Sequence, residues 1–287
     1  MHIEELMLPP PLVSIIIPTY NSAITLEKTL QSILDQSYIA LIECLIMDGG
    51  SNDNTSAIIS KFQGLNINFS SESDNGIYDA MNKGIRKAKG EFVYFIGSDD
   101  RLYDPQVIEK VFSNDYKNYD VLYGSVYNEE LKITYDGEFD DEKICLQPIC
   151  HQSTFYRKTL FNEFGYYNTS MKVSADAYLD KILFTAPNVK WLYVNQIIAS
   201  YSGTGLSANT FDLVYWSGAE KLLTSRFKGK LPNKTIYKAL LPYVRWHFSG
   251  RTFLTAIKIA WHGNPISLKY WLNHPFGYFR RLYKRLF

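Results

Sequence analysis

Cysteine is scarce: Cys44, Cys145 and Cys150 are the only three in 287 residues. An odd number without paired spacing excludes a disulfide framework and a zinc site, and implies a reducing compartment. No stretch approaches the ~20 consecutive apolar residues that span a bilayer. The first residues, Met1 to Pro11, lack a basic segment followed by an apolar core, so no secretory leader is expected. Net charge is nearly absent too, with 30 Lys+Arg against 29 Asp+Glu. That balance gives no general affinity for nucleic acid, whose binding rests on neutralising phosphates. The glycines after Asp48 lack the spacing of a dinucleotide fingerprint, which argues against a nicotinamide-dependent oxidoreductase.

The remaining composition, 46% hydrophobic and 21% charged, is that of a folded globular chain. Apolar runs alternate with helical periodicity. Strands are expected at Leu12–Ile17, Ile42–Met47, Ile67–Ser70, Phe92–Ile96, Val121–Tyr127 and Trp191–Val194, the first, second and fourth continuous enough for a sheet covered on both faces. Helices are expected at Leu26–Leu34, Thr55–Phe62, after Gly76 up to Lys89 with Gly90 as its cap, after Pro105 up to Phe112, and after Asp176. Tyr135 to Ile144 reads as an acidic loop.

Polar chemistry collects where the strands end, the place where open α/β sheets bind ligands. Pro18-Thr19-Tyr20-Asn21 follows the first strand and offers backbone groups, a hydroxyl and an amide suited to a planar heterocycle, or alternatively a helix cap. Asp48 ends the second strand and suits a base or ribose. Asp74 and Lys83 flank the start of the next helix, where Lys83 either pairs with Asp79 one turn away or faces a phosphate. Asp99 and Asp100 end the Phe92–Ile96 strand. Adjacent carboxylates repel unless a cation lies between them, so they suit a hard divalent metal, the alternative being a solvated turn.

Four segments read in order resemble the inverting nucleotide-sugar glycosyltransferases of the GT-A fold, in particular the large second family of bacterial polysaccharide and lipopolysaccharide enzymes. They are Val13-Ser14-Ile15-Ile16-Ile17-Pro18-Thr19-Tyr20-Asn21, Ile46-Met47-Asp48-Gly49-Gly50-Ser51-Asn52-Asp53-Asn54-Thr55, Asp74 to Ile85, and Gly97-Ser98-Asp99-Asp100. The resemblance implies an α/β, Rossmann-like and mostly parallel sheet with flanking helices over residues 1–210. It also implies that Pro18, Thr19, Tyr20, Asn21, Asp48 and Asp99 hold the nucleotide, with Asp74 and Lys83 beside them. Asp100 would then bind Mn²⁺ or Mg²⁺. Ser98 stands where many relatives carry a further acid.

Farther on, His151-Gln152 resembles a segment on the acceptor or diphosphate side. Asp176, just before an apolar and aromatic helix, matches the catalytic base better than Asp180 does, although the usual preceding acid is Ala175 here. Tyr201-Ser202-Gly203-Thr204-Gly205-Leu206-Ser207 resembles a stretch that closes over the donor. The expected reaction is metal-dependent transfer of a hexose or N-acetylhexosamine from a nucleotide sugar, UDP being the commonest carrier, to a saccharide or lipid-linked saccharide.

Residues 211–287 read as a helical extension rich in basic and aromatic residues, with no acid after Glu220. Such a mixture suits the surface of an anionic membrane, so a cytoplasmic protein peripheral at the inner leaflet is expected, with a packed helical extension as the alternative. Two other readings compete. A nucleotidyltransferase acting on sugar phosphates would carry a basic, glycine-rich loop after the first strand, and a non-catalytic scaffold would not need the full set of acids.

Overall fold

The computed structural model describes residues 10–113, 116–135, 137–203 and 210–242. Its centre is a sheet of nine strands in the order β3-β2-β1-β4-β8-β6-β9-β5, with β7 paired to β6 beside that path. The strands are β1 (Val13–Thr19), β2 (Ile42–Asp48), β3 (Ile67–Ser71), β4 (Phe92–Phe95), β5 (Arg101–Leu102), β6 (Val121–Asn128), β7 (Ile133–Tyr135), β8 (Thr154–Arg157) and β9 (Trp191–Tyr201). Strands β3, β2, β1 and β4 run parallel; β8 enters antiparallel to both β4 and β6, and β6 pairs parallel with β9. The sheet is therefore parallel over its first half and mixed beyond it. The antiparallel half reads as apolar runs like the parallel half, because β6 and β8 are nearly as buried as β4.

Residues in β1 and β2 are buried along their whole length. On one face Val13, Ile15 and Ile17 join a core with Leu26, Leu30 and Ile33 of α1 (Leu26–Leu34) and with Val107, Ile108 and Val111 of α4 (Val107–Phe112). On the other, α3 (Ile77–Lys87) approaches so closely that a Cβ on Gly84 would lie 2.5 Å from Cγ2 of Ile16. This alternation is what a doubly covered strand requires.

Gly90 is not the helix cap that the sequence implies. Ala88 caps α3, and Gly90 instead lets β4 start against β1: a Cβ there would sit 2.6 Å from the Ser14 backbone nitrogen. Its N–H donates to Ser14 Oγ at 2.8 Å, and Ser14 Oγ donates in turn to the buried carboxylate of Glu43 at 2.5 Å. The segment read as an acidic loop holds the end of β7 and the start of α5 (Asp141–Leu146).

By its contacts the described chain divides into two units, one containing the sheet within Met1–Asp140 and Pro148–Ser217, the other Asp141–Gln147 with residues from Gly218 onward. Short helices α2 (Thr55–Ile59) and α6 (Thr159–Phe164) and the longer α7 (Ala175–Phe184) belong to the first. Helix α8 (Leu213–Phe227) runs across the division, and α9 (Asn233–Ala239) contacts α5 within the second unit. The basic and aromatic residues from Trp246 onward, and residues 204–209 of the glycine-containing loop, lie outside the described residues.

Candidate active site

The register of the parallel strands sets Thr19, Asp48 and Ser71 side by side at the carboxyl ends of β1, β2 and β3. Asp48 is buried there and accepts from Ser51 Oγ (2.5 Å), Ser71 Oγ (2.6 Å), Ser51 N (2.9 Å), Gly50 N (3.2 Å) and Thr19 Oγ1 (3.4 Å). Burial alone would raise its pKa, but these donors, Ser51 and Ser71 foremost, outweigh it and hold the carboxyl below the usual range. These five contacts fill the roughly four acceptor directions of a carboxylate, so a further donor reaches Asp48 only by replacing one of them. Gly49 gives Asp74 room beside it, because a Cβ would come 2.7 Å from the movable Asp74 Oδ2.

Asp48, Glu72, Asp74 and Lys83 border one shallow crevice. Lys83 there donates to Ser73 O at 3.0 Å and lies 3.6 Å from both Glu72 and Asp79, so the ion pair anticipated from sequence is present. Asn21 takes a left-handed φ of 50°, which Asn tolerates, and ties two loops together through Ser51 Oγ and Asn52 N. Tyr20 is exposed. Asp53, accepting from Ala23 N and Thr55 N, braces the same two loops.

A larger cavity, ≈ 580 Å³, opens past the end of β4. Pro18, Tyr78, Asp99, Asp100, His151, Gln152 and Asp176 all border it. Thus Asp48, Asp74 and Lys83 form one cluster and the acid pair forms another with the residues expected on the acceptor side.

Asp100 is buried and Asp99 exposed. Thr29 Oγ1 of α1 donates to the Asp100 carbonyl at 2.7 Å, and Gln152 Nε2 donates to its Oδ2 at 2.8 Å. Burial, with the charge of Asp99 added, overcomes the Gln152 bond and pushes the Asp100 carboxyl up to about 6. Gly97 makes room for both acids: a Cβ would lie 2.6 Å from Asp100 Oδ2 and 2.8 Å from Asp99 Oδ1. Ser98 pairs with Ser22, their hydroxyls 2.8 Å apart.

Among the described residues no three ligating side chains gather as a metal cage. Two adjacent carboxylates, of which Asp100 is eased only in part by the Gln152 amide and the charge of His151, still fit a hard cation that takes its remaining oxygens from a diphosphate and water.

Asp176 is the second residue of α7. Its Oδ1 accepts from the Tyr78 hydroxyl at 2.8 Å, and its Oδ2 lies 3.3 Å from His151 Nδ1. Burial would raise its pKa, but the hydrogen bond and charge of His151, then the Tyr78 hydroxyl, reverse that and keep it ionised. For His151 burial acts downward, and the bond to Asp176 with the charges of Asp176, Asp100 and Asp180 moves the imidazole above its ordinary value.

Asp180, one turn on, is completely buried, accepts from Tyr156 Oη at 2.7 Å, and is pushed by burial up to about 8. Two carboxylates on one helix are thus driven in opposite directions, with the ionised one facing the cavity.

Sequence reasoning passed over three residues that shape this region: Tyr78, Tyr94 and Cys150. Tyr78 lies inside a recognised motif, whereas nothing local marks Tyr94, a buried strand residue whose hydroxyl donates to Gln152 O at 2.8 Å.

Residues 14–179 match the family described as "Glycosyl transferase family 2". The chain is 36% identical over 206 residues to a "PGL/p-HBAD biosynthesis glycosyltransferase" of Mycobacterium bovis, covering 70% of this chain and 80% of that protein. It is 29% identical over 199 residues to a chondroitin synthase of Pasteurella multocida, covering 65% of this chain and 20% of that one. Among solved structures, S. aureus TarS 1–349 in complex with UDP-GlcNAc aligns with a TM-score of 0.62 at 19% identity, over 83% of this chain and 72% of that one. The mannosyltransferase PcManGT of Pyrobaculum calidifontis, in complex with GDP-Man and Mn²⁺, aligns at 0.56 and 17%, over 91% and 81%.

Proposed function

The chain belongs to glycosyl transferase family 2 and has the GT-A fold, and on that premise we propose that it moves a sugar, with inversion, from a UDP-sugar to a hydroxyl of a saccharide or glycolipid. One observation carries this reading: the acid pair Asp99–Asp100 and the separately held, ionised Asp176 border the same cavity. Inversion needs two such ends, one for the departing diphosphate and one for the incoming hydroxyl.

In this scheme Asp176 takes the proton of the acceptor hydroxyl. The freed oxygen pair attacks the anomeric carbon on the face opposite the diphosphate. The bond from that carbon to the diphosphate oxygen breaks, and its electron pair leaves with the nucleoside diphosphate. Mn²⁺ or Mg²⁺, held by Asp100 with Asp99 beside it, would supply Lewis-acid stabilisation of that leaving charge. Asp48, Asp74, Thr19 and the Pro18–Asn21 loop bind and orient the nucleoside, and Lys83 stands at the edge of their crevice. His151 and Gln152 lie on the acceptor and diphosphate side.

UDP as the carrier is supported by the TarS complex and an acceptor of glycolipid type by the mycobacterial relative's name. No helix among the described residues is long and apolar enough to cross a membrane. Peripheral contact with the cytoplasmic leaflet rests on the basic and aromatic residues after Glu220.

The test is a thermal-shift panel of nucleoside diphosphates and their sugars with Mn²⁺, followed by transfer assays with the stabilising donor and NMR of the anomeric product. UDP-sugars are expected to stabilise most and the product to carry the inverted configuration. Full transfer by Asp176→Asn, with normal donor binding, refutes the base assignment.

A further inference from the structure

We propose that the turn Cys150-His151-Gln152 sets the two ends of the reaction against each other, with His151 a positioning residue for Asp176 and Gln152 one for Asp100. The inference rests on the reading of Asp176 as the base and of Asp100 as the acid on the diphosphate side. Its basis is a juxtaposition: two consecutive residues each bond to one of the two acids. His151 Nδ1 lies 3.3 Å from Asp176 Oδ2, and Gln152 Nε2 donates to Asp100 Oδ2 at 2.8 Å.

An Asp carboxylate turns almost freely about its last torsion. Two donors on different oxygens remove that freedom, and Asp176 has them in Tyr78 at Oδ1 and His151 at Oδ2. The lone pairs they leave open are the ones an acceptor hydroxyl can use. Gln152 is fixed in the same manner. Cys150 Sγ donates to its Oε1 at 2.7 Å, which orients the amide so that Nε2 faces Asp100.

The turn is itself tied down. Ser153 N and Oγ donate to Cys150 O at 2.9 and 2.7 Å, and Tyr94 Oη donates to Gln152 O at 2.8 Å. Tyr94 lies on β4, the strand that delivers Asp99 and Asp100. Consecutive Cα atoms are about 3.8 Å apart across a trans peptide, so the spacing of the two carboxylates is set by one stiff peptide unit and a strand. This gives His151 a role more definite than the place on the acceptor or diphosphate side that the sequence implies for it.

The experiment compares His151→Ala, His151→Asn and His151→Gln for transfer kinetics, together with the affinity for UDP in the presence of Mn²⁺ by calorimetry. An Asn amide can stand in for Nδ1–H and a Gln amide for the Nε2 position. The Ala variant is expected to lose about 100-fold in kcat with UDP affinity within about twofold, and the Asn variant to regain about tenfold of that loss while Gln does not.

Equal loss of kcat and of UDP affinity would mean a merely structural role and overturns the inference. Wild-type kcat in the Ala variant overturns it as well, and so does rescue by Gln in place of Asn, which would assign the function to Nε2. Should the Ala variant melt too early to assay, the Asn and Gln variants, compared at a temperature where both are folded, decide the matter. Asp176→Asn is run beside them. If it is inactive while His151→Ala keeps wild-type kcat, the base stands and the positioning role falls; if it is fully active, the base reading falls whatever His151 does.

Discussion

The fully buried Asp180 gives a stability prediction that can be worked through from its surroundings. An unfolded Asp loses its proton near pH 3.9, whereas burial pushes this one up to about 8. The folded state therefore holds the proton more tightly than the unfolded state. The stability this contributes is complete below about pH 4 and is lost as the pH rises toward 8. At about 1.36 kcal/mol per unit, the full window has a ceiling on the order of 5 kcal/mol.

Asp180→Asn removes the titration while keeping an oxygen for the Tyr156 hydroxyl. The amide nitrogen takes the place of Oδ2, which has no hydrogen-bond partner among the described residues. Burying it there costs about 1–3 kcal/mol at every pH. That cost is constant, so the signature is the slope. Urea unfolding of both proteins from pH 5 to 8.5 should show the variant gaining on the wild type by about 1 kcal/mol per pH unit and levelling off above 8. Two curves that run parallel across this range would refute the account of Asp180 as a carboxylic acid kept neutral by burial.

Gly90→Ala forces a Cβ to within 2.6 Å of the Ser14 backbone nitrogen, where nothing can rotate away; a loss of about 3 kcal/mol is expected, read as a fall in melting temperature of about 6–12 °C. Gly97→Ala presses instead on the movable ends of Asp99 and Asp100, so calorimetry should find the melting temperature nearly unchanged while transfer falls about tenfold or more. Chelation by EDTA should abolish transfer and Mn²⁺ restore it. Because Asp100 takes up a proton below about 6, the Mn²⁺ requirement should rise as the pH is lowered from 7 to 5. Transfer indifferent to EDTA throughout would contradict a metal role.

Much of the fold is legible in the chain because strand and helix have local periods. The runs at Val13, Ile42 and Phe92 become β1, β2 and β4, and the carboxylates Asp48 and Asp99–Asp100 follow the last two of them at the carboxyl ends of the parallel strands. Gly90 shows where local reading misleads: following a helix, it resembles a cap, yet its smallness serves a close approach to Ser14, 76 residues away. The mixed pairing beyond β4, antiparallel in every pair but β6–β9, was equally hidden, since burial makes both kinds of strand continuously apolar.

The sequence by itself determined the order of the elements through β4, the acids at the strand ends and the kinship with a glycosyltransferase family, all of which follow from short-range pattern, while β5, β7 and β8 escaped it. Tertiary structure alone decided which acids are ionised and what holds them. Tyr78 meets Asp176 across 98 residues, and Gln152 meets Asp100 across 52. Asp176 and Asp180 are separated by one helical turn, yet His151 and Tyr78 hold the first ionised while burial keeps the second protonated. Desolvation and hydrogen bonding are properties of what surrounds a group in space, and no spacing along the chain encodes them.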